Sequence, residues 1–233
     1  MMVFRNLIYV PYLWIKLCYY AKHTDEVSDD KKNEFLKWIV YRANKGGNVI
    51  IESSGVENIP KEESFMLFPN HQGLYDVLAL VDTCPRFFAA VMKQELKDIP
   101  FIKQVIAVMK GYVIDRDDVR QSMKVIQQVS KEVSEGRNFM IFPEGTRSRN
   151  GNQIGEFKGG SFKSATKAKC PIIPVAIIDS YKAFDTHSIK DVTVQIHYLE
   201  PLYYEDYKDM KTTEIAEEVA SRIRKAIEIH EVH

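Results

Sequence analysis

Seven short apolar runs follow Gly47: "NVIIES", "SFMLFP", "RFFAAVM", "GYVID", "NFMIFP", "PIIPVAII" and "VTVQIHYL". Runs of this length without polar alternation suit strands covered on both faces, where no side chain has to meet water. Helix-length segments lie between several of them. The clearest are "DVRQSMKVIQQVSKEVSEG", stopped at Gly136, and "TTEIAEEVASRIRKAIEIH" near the end. Strands alternating with helices specify an α/β domain over residues 48–233, a mixed, largely parallel sheet flanked by helices. "VTVQIHYL" does alternate, which predicts an edge or half-exposed strand with His197 on its polar side.

Residues 1–47 have another character. "MMVFRNLIYVPYLWIKLCYY" is broken by Arg5, Asn6, Pro11 and Lys16, and no small-residue cleavage site follows it. A membrane span wants about 20 predominantly apolar residues. On a helical wheel Arg5, Tyr9, Tyr12, Lys16 and Tyr19 share one stripe, with Val3, Leu7, Val10, Trp14 and Leu17 on another. Such a helix either lies in a membrane interface or packs on its own domain. A second helix, "DDKKNEFLKWIVYRANKGG", sets Phe35, Leu36, Trp38 and Ile39 among lysines and is expected to stop at Gly46–Gly47. Residues 1–47 thus read as an N-terminal amphipathic helix pair that associates with a membrane surface.

The chain's 233 residues, 45% apolar and 27% charged, exclude a disordered polymer, and its net charge of zero argues against a nucleic-acid partner. The charge is uneven, however. Between residues 144 and 169, Arg147, Arg149, Lys158, Lys163, Lys167 and Lys169 outnumber Glu144 and Glu156, which points to an anionic ligand. Cys18, Cys84 and Cys170 have neither an even count nor a CxxC spacing, so a reduced environment fits, without a disulfide frame or zinc site.

Ligands of α/β sheets gather where strands end. Two polar clusters directly follow apolar runs: "PNHQGLYD" and "PEGTRSRNG". Their like placement predicts that they face one cleft. His71 is suited to general-base work, and Asp76, five residues on, is suited to hold its tautomer. A capping role for Asp76 in the following helix is the plain alternative. In the second cluster Gly145 permits a close backbone approach, Thr146 offers a hydroxyl, and Arg147 presents a fork matched to phosphate oxygens. Glu144 either accepts from a ligand hydroxyl or pairs with Arg147. Lys93, Arg116 and Lys158 add cations after other strand ends.

"NHQGLYD", "KQELKDIPF" with "GYVIDR", "FPEGTRS" and "CPIIPVAI" stand in the order of the four sequence blocks of glycerolipid acyltransferases, which the chain resembles over roughly residues 50–180. The resemblance implies acyl transfer from acyl-CoA or an acyl carrier protein to the free sn-2 hydroxyl of 1-acyl-glycerol 3-phosphate. It implies His71 as base and Asp76 as its orienter. It also implies a glycerol-phosphate site of Lys93, Arg116, Glu144, Gly145, Thr146 and Arg147, and places Pro171–Val175 in the sheet and acyl-pocket wall. Neither cofactor nor metal is implied, and the expected place is the cytoplasmic face of the cell membrane, peripheral or monotopic. Gly73, Leu74 and Ile102 depart from the common pattern and leave acceptor choice open, glycerol 3-phosphate or another lysolipid included. A covalent thioesterase would need a nucleophile elbow that this sequence lacks. A lipid-binding protein without turnover is the remaining alternative.

Overall fold

The computed structural model describes residues 4–115, 117–185 and 190–231. Each apolar run contains one strand: β1 (Val49–Ser54), β2 (Met66–Pro69), β3 (Ala89–Lys93), β4 (Tyr112–Ile114), β5 (Phe139–Ile141), β6 (Ile172–Ile178) and β7 (Val192–Tyr198). They form one sheet in the order β1-β7-β6-β2-β5-β3-β4. All neighbours are parallel except β6 and β7, so β1 and β7 run against the rest. The helices are α1 (Val10–Lys22), α2 (Asp29–Gly47), α3 (Asp76–Thr83), α4 (Pro100–Val108), α5 (Val119–Ser134), α6 (Lys163–Ala168), α7 (Lys182–Asp185), α8 (Tyr204–Tyr207) and α9 (Thr212–His230).

Successive strand residues feed opposite cores, as the two-residue period requires. On one face Met66, Phe68, Phe139 and Ile172 meet Val129 of α5, Ala165 of α6 and Ile223 of α9. On the other, Leu67, Met140, Ile173 and Val175 meet Leu36 of α2 and Leu80 of α3. Helices on both faces explain the unbroken apolar runs. β7 differs from its expectation, for it lies inside the sheet between β1 and β6, and His197 is buried. Its polar side is covered by the end of α9, where the His230 ring stacks on His197 with centroids 4.0 Å apart.

The N-terminal helices also correct the wheel. The first part is a 3-10 turn at Phe4–Asn6, and α1 starts only at Val10, with Pro11 in its first turn. Leu17 from the apolar stripe is fully buried, yet Leu7, Val10 and Trp14 of that stripe are exposed. From the polar stripe, Tyr12 sets its ring edge against Trp38 (5.8 Å), and the Lys16 ammonium lies 4.7 Å from the Phe35 centroid. The wheel sorted side chains by polarity, whereas α2 offers aromatic rings that tyrosines and a lysine can pack on. Ser28 caps α2, its hydroxyl accepting from Lys31 N–H (3.5 Å). Both glycines expected to stop α2 lie within its last turn, and Asn48 ends it in the left-handed region (φ 55°). Among the described residues no helix is long and apolar enough to cross a membrane.

Candidate active site

β2 lies between its parallel neighbours β5 and β6, so the segments leaving all three emerge at one edge of the sheet. The two polar clusters therefore do face one cleft. Asn70 fixes the exit from β2. Its amide accepts from Ile177 N–H (2.7 Å) and donates to Ile177 C=O (3.0 Å), continuing the ladder with side-chain atoms. The next residue, His71, is thereby held at the mouth, 18% exposed, with its ring stacked on Phe142 at 3.9 Å.

Asp76 opens α3 and is fully buried. His71 Nδ1 lies 2.7 Å from its Oδ2, which also accepts from the N–H groups of Gln72 (2.7 Å) and Gly73 (3.1 Å). Its Oδ1 accepts from Gly73 N–H (3.1 Å) and from the Ser180 hydroxyl. Four donors satisfy the buried carboxylate and hold it toward the imidazole. With Nδ1–H donated to Asp76, the Nε2 lone pair is left for a ligand. The carboxylate accepts from N–H groups of the loop that precedes α3 and caps none of that helix.

Sequence reasoning missed the support behind this pair. Gln72 donates to Asn152 Oδ1 (2.8 Å) and accepts from Ser180 N–H (3.0 Å). Asn152 in turn donates to Glu231 (2.8 Å) beyond α9. Ser180 carried one usable signal, because it stands in the polar segment that opens with Asp179 after the apolar run of β6, just as the other clusters follow theirs. Nothing local marked Asn152.

The Glu144–Arg147 turn divides into separate tasks. Glu144 is buried, with Oε1 accepting from His71 N–H (2.7 Å) and Oε2 from Gly155 N–H (2.9 Å). It ties the two loops together, in place of the ligand or Arg147 partner considered from sequence. Burial raises its pKa, and the two N–H bonds oppose that rise. Gly145 has φ +73°, and a Cβ there would sit 3.4 Å from Lys158 Nζ, so the lysine stem passes over the turn. Thr146 is exposed and Arg147 half-buried, and neither lines the adjoining cavity, whereas Gly145, Lys93 and Lys158 do. Lys93 ends β3 and pairs with Glu95. Arg116 lies outside the described residues. Pro171–Val175 is buried in and beside β6 and does not reach the cavity, so it supplies sheet and no pocket wall.

The cavity has a volume of about 990 Å³ and runs from His71 between the helices. Leu36, Val40, Leu78, Val81 and Val105 line one limb. Burial pushes the thiols of Cys84 and Cys170 up to about 11 and about 12, so neither offers a thiolate.

A sequence model of the family described as Acyltransferase matches residues 50–178. This chain belongs to the acyltransferase family. The match contains His71, Asp76, Lys93 and the Glu144–Arg147 turn, and ends just before Ser180. Among curated acyltransferases, the 1-acyl-sn-glycerol-3-phosphate acyltransferase of Borreliella burgdorferi is 35% identical over 148 residues, covering 62% of this chain and 58% of that protein. That of Helicobacter pylori is 30% identical over 138 residues, covering 57% and 58%. The chain thus spans little more than half the length of these relatives. Among solved acyltransferases, the crystal structure of the 1-acyl-sn-glycerophosphate (LPA) acyltransferase PlsC from Thermotoga maritima superposes with a TM-score of 0.74 over 100% of this chain and 99% of that one. At 23% identity, that likeness shows the fold.

Proposed function

We propose that this chain transfers a fatty acyl group from acyl-CoA or an acyl carrier protein to the free sn-2 hydroxyl of 1-acyl-glycerol 3-phosphate, giving phosphatidic acid. The observation that carries this reading is the His71–Asp76 contact (2.7 Å) opening onto a largely apolar cavity. The names of the similar acyltransferases support the choice of acceptor.

A hydroxyl becomes an adequate nucleophile only as its proton leaves. His71 Nε2 takes that proton while the oxygen attacks the thioester carbon, and Asp76 stabilises the imidazolium that forms. The new C–O bond is made as the C–S bond breaks, and the departing thiolate receives the proton from His71. No side-chain nucleophile is required. General-base assistance contributes about 10²–10⁴ in rate, and alignment of two bound substrates contributes much of the remainder. The aliphatic limb of the cavity suits an acyl chain. Lys93 lies on the cavity wall, and Arg147 on the turn bonded to His71 through Ser148 N–H (2.9 Å); these two cations are the proposed phosphate ligands, with Gly145 and Thr146 beside them. Ile8 and Ile15, 88% and 69% exposed beside the exposed rings of Tyr12 and Trp14, would enter the cytoplasmic face of a membrane and bring the site to its lipid acceptor.

The test is His71→Ala assayed with acyl-CoA and lysophosphatidic acid. Turnover should fall by about 10²–10⁴ with thermal unfolding unchanged. Unchanged turnover removes His71 as the base. A panel of acceptors with one radiolabelled donor decides the acceptor, and preference for glycerol 3-phosphate would overturn the assignment made above.

A further inference from the structure

The cavity crosses the sheet edge from one face to the other. On the face of α2, α3 and α4 its wall is aliphatic. On the face of α5 and α6 the wall is mixed, with Lys163, Lys167, Ser161 and Thr166 beside an α5 side that is apolar at Met123 and Ile126. His71, at the end of a central strand, stands where the two limbs meet. Across the whole lining there are four lysines, Lys93, Lys158, Lys163 and Lys167, and among the described residues no carboxylate.

Of these four, Lys93 is paired with Glu95. Among the described residues the ammonium groups of Lys158, Lys163 and Lys167 make no ion pair or hydrogen bond. Like charges gathered on one wall repel, and a bound anion would relieve that repulsion. A single acceptor phosphate is already matched by the cations at the ends of β3 and β5. The α6 lysines are left without an occupant.

We propose that the α5–α6 limb is the subsite for the phosphate of the donor's phosphopantetheine arm, with Lys163 and Lys167 as its cations and the Ser161 hydroxyl as a further donor. This rests on the acyl-transfer reading. A thioester donor is a linear molecule with an acyl chain at one end, the reacting carbonyl and sulfur in the middle, and a phosphate-bearing arm at the other. With the carbonyl at His71, the chain enters the aliphatic limb and the arm leads over the strand ends to α6. The reverse orientation would put an anion among leucines and valines, with no partner to replace its hydration. CoA and acyl carrier protein share this arm, so the subsite reads what the two have in common.

The experiment compares the wild-type chain with Lys163→Ala/Lys167→Ala and with Lys163→Arg/Lys167→Arg. Each is assayed with acyl-CoA, with acyl-phosphopantetheine and with acyl carrier protein as donor. In the alanine pair the donor KM should rise about tenfold for all three, as expected for lost charge-assisted bonds. Turnover number and acceptor KM should stay within about twofold, and the arginine pair should restore the donor KM. Added salt should raise the wild-type donor KM and leave that of the alanine pair nearly flat. An unchanged donor KM, a rise in acceptor KM instead, or an effect confined to acyl-CoA would each overturn the subsite. Wild-type protein inert with every thioester would sink the acyl-transfer reading itself, whereas an active wild type with an indifferent alanine pair sinks only the subsite.

Discussion

Asp76→Asn removes one charge and keeps the shape, and the hydrogen bonds around Asp76 say where the new amide must turn. An NH2 in the place of Oδ2 would face the His71 ring and the Gln72 and Gly73 N–H groups, all donors. In the place of Oδ1 it would meet the Ser180 hydroxyl, which can rotate to accept, and Gly73 N–H, which keeps an equal 3.1 Å bond to the other oxygen. The substituted amide should therefore keep its carbonyl toward His71 and preserve the tautomer. What is lost is the difference between a charged and a neutral acceptor, about 1–2 kcal/mol. At about 1.4 kcal/mol per tenfold, turnover should fall roughly 5–30-fold, well short of the loss in His71→Ala. Adding Ser180→Ala leaves the buried NH2 without an acceptor, so the double variant should be about 1–3 kcal/mol less stable than the two single changes sum to. Steady-state turnover and urea unfolding of the three variants provide the check. If Asp76→Asn matches His71→Ala in activity at full stability, or if the stabilities add, the hydrogen-bond reasoning is refuted.

Two other outcomes are expected. Burial, reinforced by the neighbouring His230, lowers the pKa of His197 from 6.5 to about 4. A depressed histidine contributes stability that is fully present above its unfolded pKa of about 6.5 and is lost as pH falls toward its folded one, here about 2 kcal/mol between about pH 7 and pH 5. Urea titrations should show that loss in the wild type and its absence in His197→Gln, and equal slopes would exclude His197 as the cause. For the proposed membrane contact, a deletion of residues 1–20 would also take Leu17 out of the core. Ile8→Asp/Ile15→Asp should instead reduce sedimentation with phospholipid vesicles at least about tenfold with unfolding unaltered, and undiminished binding would place the contact elsewhere.

Much of the site was legible before any fold was known, for a definite reason. His71 and Asp76 are five residues apart on one strand-to-helix connection, so their meeting needs only local geometry. The strands were legible because a sheet covered on both faces requires uninterrupted apolar runs. The bond from His71 N–H to Glu144 was not legible, since it spans 73 positions. Ser180 is 104 positions from the Asp76 it serves, and no short-range pattern records such a pairing.

By itself, then, the sequence determined the strand set, the His71–Asp76 pair and the turn that follows β5, because each is written in neighbouring residues. Tertiary structure decided which strand became interior, which side of α1 turned inward, and which distant side chains lock Asp76. Those outcomes depend on what a segment meets across the fold. β7 is buried by β1 and α9, Tyr12 and Lys16 turn toward the rings of α2, and Asp76 is held by a hydroxyl delivered at the end of β6.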